Sequence, residues 1–177
     1  MSWQELTPDV WRYRDSCNVY ALRGSEGCVI IDAGTGAWLD HRDALPQRPV
    51  ALLLTHYFRD HAAGAVRAAR EGIPVHAPEH EHDLLADPGQ HFRERENYII
   101  YDNLWDQFAP IEPVRLTGAM LDYARTTLAG LEIEVIPLPG ATFAQSGYAV
   151  TLGGRRIVFS AEAIHSPGRL PRVAPLQ

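Results

Sequence analysis

The segment Leu54-Thr55-His56-Tyr57-Phe58-Arg59-Asp60-His61-Ala62-Ala63-Gly64 brings two imidazoles and a carboxylate to one turn of chain. His56, Asp60 and His61 form a ligand set suited to Zn²⁺ or to a harder ion such as Fe or Mn. An ion of that kind acidifies water and polarises carbonyl or phosphoryl groups, so the chemistry in view is metal-assisted hydrolysis. The same residues also have a plain structural reading, with Asp60 as a helix cap and both histidines satisfied by hydrogen bonds. Spacing leaves both open. Other reactive patterns are missing. There is no Gly-x-Ser-x-Gly elbow, and Gly34-Thr35-Gly36 has Leu39 at the third glycine position of a dinucleotide loop.

The elements around this segment follow from apolar periodicity. Val10–Arg14, Asn18–Arg23 and 28–32 read as three successive strands, bounded by Pro, Asp or Gly clusters. Gly24-Ser25-Glu26-Gly27 is the expected hairpin turn, with Arg23 opposite Cys28. A short helix is expected over 38–45 and a strand buried on both faces over 50–55, where polar alternation is absent. Ala62, Ala65, Val66 and Ala69 recur at helical spacing, which predicts a helix over 61–71 stopped by Gly72. Residues 73–77 read as a strand and 79–86 as a helix with Pro78 at its first turn. The aromatic and charged stretch 87–110 reads as a packed insertion. Strands are expected again over 131–136, 147–152 and 156–160, with Gly153-Gly154 as a hairpin turn.

The chain has 177 residues with 16 basic and 22 acidic side chains, a net charge of −6, and every basic residue is Arg. Without lysine, a Schiff-base lysine, a pyridoxal-phosphate lysine and a Gly-Lys-Ser/Thr phosphate loop are all excluded. Scattered arginines on an acidic chain argue against a nucleic-acid partner. The start lacks a signal-peptide pattern and no apolar run is long enough for a membrane span, so a soluble, cytoplasmic protein with no membrane partner is expected. Cys17 and Cys28 are not expected to pair, nor to bind metal, and read as small apolar side chains. His76, His80 and His82 cluster in sequence, but Pro74 and Pro78 break any helix that would align them, so a solvated helix start is expected.

Four ordered stretches carry a family resemblance. Thr-His-x-x-x-Asp-His-x-x-Gly at residues 55–64 is similar to the metal motif of the metallo-β-lactamase superfamily, whose usual form is His-x-His-x-Asp-His. Asp32-Ala33-Gly34 resembles its Asp-x-Gly turn, Leu138-Pro139-Gly140-Ala141-Thr142 its Pro-Gly-His-Thr loop, and Val158-Phe159-Ser160-Ala161-Glu162 its Phe-x-Gly-Asp strand end. The resemblance implies an α/β fold, the αβ/βα four-layer sandwich of two mixed sheets with helices outside. The four stretches span Asp32 to Glu162, and residues 1–177 read as one domain that lacks its last C-terminal elements, whose open sheet suggests a homo-oligomer as cover.

The resemblance also implies where the site departs from the family. One family metal uses the positions of His56, Phe58 and Ala141, and the last two offer no donor atom here. The other would use Asp60, His61, the bridging position now held by Glu162, and a final histidine beyond Gln177. Asp60 is in addition the implied catalytic residue, and His165 is a candidate replacement for a lost imidazole. The expected cofactor is therefore none or a single divalent ion (Zn, Mn or Fe). The expected function is a degraded dinuclear site without two-zinc hydrolysis, in a binding or structural role with an unidentified small-molecule or protein partner. The alternative is a mononuclear hydrolase of esters, thioesters or phosphodiesters, or an oxygen-chemistry enzyme, built on Asp60, His61 and Glu162.

Overall fold

The computed structural model describes residues 2–89, 110 and 112–164. Strands β1 (Gln4–Thr7), β2 (Val10–Arg14), β3 (Asn18–Arg23) and β4 (Cys28–Ile31) form an antiparallel meander. β5 (Pro49–Leu53), β6 (Val75–Pro78) and β7 (Gly118–Met120) then add in parallel, giving a seven-stranded sheet in sequence order. Helix α1 (Arg59–Arg70) makes the crossover from β5 to β6, and α2 (His82–Ala86) follows β6. A second, antiparallel sheet contains β8 (Arg125–Leu128), β9 (Leu131–Pro137), β10 (Ser146–Leu152) and β11 (Arg155–Phe159), in the order β11-β10-β9-β8.

Strand alternation builds two cores. On β4, Cys28 and Ile30 point to the helices, where they meet Trp38, Leu39, Ala62, Ala65 and Leu85. Val29 and Ile31 point to the second sheet and pack with Ile133, Val135, Tyr148 and Phe159. The described helices thus cover one face of the first sheet, and its other face meets the second sheet. Tyr148 ties the sheets by donating its hydroxyl to the Leu54 carbonyl at 2.5 Å. The α/β class, two face-to-face sheets and an outer helical layer agree with the sequence reading.

Several boundaries differ for identifiable reasons. The helix expected over 38–45 is a 3-10 helix, Ala37–Ala44, entered through Gly36 at φ 90°. α1 begins at Arg59, and Phe58 holds the cap position without a side-chain cap bond, so Asp60 lies in the first turn and is not the cap. There its charge complements the helix N-terminus. Strands β1, β7 and β8 escape the apolar pattern because their residues are largely half-buried or exposed. Arg23 does oppose Cys28, and both cysteines are free. Most of the 87–110 segment lies outside the described residues. Among the described residues, no helix is long and apolar enough to cross a membrane.

Candidate metal centre

The site forms where α1 docks, backbone to backbone, on the turn that follows β4. The His61 carbonyl accepts from Ala33 and Gly34 N–H at 2.7 and 3.1 Å, and Gly64 N–H donates to the Gly34 carbonyl at 2.8 Å. That approach requires a residue without a side chain: a Cβ at Gly64 would lie 2.4 Å from Gly36 N and 2.5 Å from the Ala33 oxygen. The Asp-x-Gly turn and the glycine after Asp60-His61 are two halves of one joint.

Asp32 is the hub of that joint. It is buried, and its backbone sits at φ 60°, in a left-handed region that aspartate tolerates better than most residues. Its Oδ1 accepts from the Thr55 backbone N–H and hydroxyl, both at 2.9 Å, and its Oδ2 accepts from His61 Nδ1 at 2.8 Å. A carboxylate can only accept, so the Thr55 hydroxyl spends its proton on Asp32. The same oxygen lies 2.9 Å from His56 Nδ1 and must accept from it. His56 is therefore the Nδ1–H tautomer, and its buried Nε2 presents a lone pair with no hydrogen-bond partner.

The electrostatics follow the same geometry. Burial opposes a charge on His61, but the Asp32 carboxylate, helped by Cys17, overcomes it and pushes the imidazole up to about 12. Burial, with the neighbouring His61 charge, holds His56 well below the ordinary histidine range. The two rings lie 4.4 Å apart between centroids. One is a cation without metal, the other neutral.

Two donor groups converge on His61. Asp60, His61 and Glu162 place ligand atoms within 4.8 Å of one another, and so do Cys17, Asp32 and His61. His61 Nε2 is 3.7 Å from Asp60 and 3.9 Å from Glu162. With Nδ1 fixed by Asp32, Nε2 is the nitrogen left for a metal, as in carboxylate–histidine–metal triads. The donors fit one divalent ion: two carboxylates and an oriented imidazole that line a cavity of about 610 Å³.

The structure brings Asp60, His61 and Glu162 together. His56 lies beside them but belongs to neither donor group. Phe58 and Ala141 pack in one apolar cluster, with the Phe58 ring edge-on to His56 at 5.0 Å. His165 lies outside the described residues. Among the described residues, no donor group includes His76, His80 or His82. Cys17, read from the sequence as a small apolar side chain without a donor partner, lies beside His61 and Asp32. Its distance in sequence from His61 hid this.

Glu81 was also missed. Fully buried, its carboxylate accepts from the Tyr57 N–H at 2.9 Å and the Thr142 hydroxyl at 2.6 Å, clamping the loop of His56 to the loop of Ala141. Its place in the run Glu79-His80-Glu81-His82 gave it the look of a solvated face. Glu81→Ala orphans two buried donors and should cost about 2 kcal/mol, read as a shift in urea midpoint. Glu81→Gln, which keeps an acceptor for Tyr57 and lets Thr142 accept instead, should lose less than half of that.

The family model described as "Metallo-beta-lactamase superfamily" matches residues 12–175. Among solved structures, a Cronobacter sakazakii metallo-β-lactamase with a HARLDQ motif superposes with TM-score 0.73 at 23% identity, covering 95% of this chain and 67% of that one. BJP-1, a subclass B3 metallo-β-lactamase of Bradyrhizobium japonicum, gives TM-score 0.73 at 20% identity over 99% of this chain and 67% of its own. MIM-1 from Novosphingobium pentaromativorans gives 0.74 at 16% identity over 95% and 65%. The chain spans about two thirds of the length of these structures. No curated protein matches it by sequence.

Proposed function

The chain belongs to the metallo-β-lactamase superfamily, and from that premise we propose that it holds one divalent metal, at Asp60, His61 and Glu162, and does not carry out two-zinc hydrolysis. The observation that supports this is the asymmetry of the site. On one side, an imidazole with its Nδ1 tied to Asp32 faces two carboxylates. On the other, His56 has only Phe58 and Ala141 where further donors would stand, and neither has a lone pair to give. Within this reading Asp32 keeps the Nδ1 proton of His61 in place, and Glu162 closes the group from the end of β11. A bound ion would supply Lewis acidity, lowering the pKa of water and polarising a substrate oxygen.

A second reading, in which the single ion still supports hydrolysis of an ester or phosphodiester with Asp60 taking up a proton, has its own support. The HARLDQ motif of the C. sakazakii protein, set beside His56-Tyr57-Phe58-Arg59-Asp60-His61, keeps the first histidine and the aspartate and has arginine where Phe58 stands. A protein described as a metallo-β-lactamase thus also lacks the third-position histidine. Mass spectrometry of the metal content of protein purified without chelator tests the first reading: one equivalent is expected, and two tightly held equivalents would overturn it. Turnover of a generic ester or phosphodiester on adding zinc or manganese, abolished in Asp60→Ala, would favour the second reading over a purely binding role.

A further inference from the structure

We propose that the metal site takes a neutral carbonyl compound, an ester or thioester, whose uncharged apolar chain lies between the two sheets. The inference deepens the one-metal reading and rests on it. Its first ground is the cavity beside the donors. Val10, Tyr20 and Ile31 line it from the first sheet, and Ile157 and Phe159 from the second. All five belong to the core between the sheets, so the cavity continues that core to Asp60, His61 and Glu162, which line it too. Tyr20 and Phe159 meet from opposite sheets with ring centroids 5.0 Å apart. The volume of about 610 Å³ falls among those of pockets that enclose small organic ligands.

The second ground is the exposed apolar surface at the cavity. Six large apolar side chains are exposed among the described residues, and three of them, Leu6, Val158 and Ile164, line this one cavity. Exposed apolar residues gathered in one place mark a binding groove, as scattered ones do not. Leu6 sits at the bulge where the pairing of β1 with β2 shifts between Glu5 and Thr7, a device that re-aims a side chain. The third ground is charge. Asp32, Asp60 and Glu162 stand around one divalent ion, and a His61 that holds it through Nε2 is neutral, so the loaded site keeps a net negative charge. Among the described residues, no arginine lines the cavity. A phosphodiester, or a chain bearing a carboxylate, would meet three carboxylates with no cationic side chain to offset them, whereas a neutral carbonyl asks only for the ion.

Calorimetric titration of the zinc-saturated full chain with three hydroxamic acids tests this, once the bound zinc has been counted. Octanohydroxamic acid is expected to bind at least about fiftyfold tighter than acetohydroxamic acid, the effect of three buried methylenes at roughly fourfold each. Suberic acid monohydroxamate, a chain of equal length ending in a carboxylate, is expected to bind at least about tenfold more weakly than octanohydroxamic acid. Leu6→Asp is expected to weaken octanohydroxamic acid about tenfold and acetohydroxamic acid by less than about twofold. With one zinc bound, equal affinity for the long and short acids, equal affinity for the two long ones, no binding of any of them, or an unchanged octanohydroxamic acid affinity in Leu6→Asp would overturn the inference and leave the one-metal reading standing. Two zinc ions, or none, would overturn both. Should Leu6→Asp fail to fold, the three acids on the wild type decide alone.

Discussion

Asp32→Ala should be the most damaging single substitution in the described part of this protein, costing about 4 kcal/mol of stability and at least about tenfold in metal affinity. The carboxylate is buried, neutralises a buried imidazolium, and receives the Thr55 N–H and hydroxyl. Its removal takes the nearest counter-charge from the imidazolium and leaves the two Thr55 donors without that acceptor at a buried position. Asp32→Asn separates shape from charge. Asparagine tolerates the positive φ and can still accept from Thr55, but its amide meets His61 Nδ1–H donor to donor unless the ring loses a proton. His61 should then titrate in or below the ordinary histidine range, which proton NMR would record.

The pH dependence has a definite sign. His61 has a folded pKa of about 12 against an unfolded value near 6.5, so without metal its pairing with Asp32 contributes fully below about 6.5 and fades as pH rises towards 12. The stability gap between wild type and Asp32→Ala should narrow above neutrality, by at most about 1.4 kcal/mol per pH unit. Metal works in the opposite direction. It must displace the Nε2 proton, so apparent zinc affinity should rise by about tenfold per pH unit or more over the neutral range. Urea melts and zinc titrations at a few pH values check both slopes.

Gly64→Ala is expected to cost about 3 kcal/mol, although alanine is the better helix former by about 1 kcal/mol. The steric term decides the sign. The new methyl would fall 2.4–2.6 Å from backbone atoms of Ala33 and Gly36, which cannot rotate away as a side chain would. α1 must then lift off the Asp-x-Gly turn, drawing Asp60 and His61 from Asp32 and weakening metal binding together with stability. Gly72→Ala is the control. At φ 83°, with nothing within 4 Å of the new Cβ, it should lose only about 1 kcal/mol and leave the site unchanged. Equal losses at the two positions would show that the close approach of α1 does not matter.

Much of the fold was legible in local pattern. β2 and β3 carry the residues expected of them, and the 24–27 turn sets the register of β3 with β4. The small residues that face inward on α1 mark the helix that docks most closely. Of the site, Asp60 and His61 could be found because they share one turn of helix, and Glu162 because the end of its strand resembles a known motif. Cys17 and Glu81 could not. Each acts across a distance in sequence that no period spans, and each sits among neighbours that suggest a blander role.

What the sequence determined by itself was the inventory: which positions carry a lone pair able to hold a cation, which carry only carbon, and that no lysine chemistry is open to the chain. That follows from side-chain composition, which folding cannot change. What only the tertiary structure decided was assignment. It showed which nitrogen of His61 is tied to Asp32, that His56 holds a bare lone pair in a buried place, and that a cysteine from a distant turn stands beside the same imidazole. Proton positions and donor sets depend on distances of a few ångströms between segments far apart in sequence, and those distances exist only once the sheets and α1 have packed.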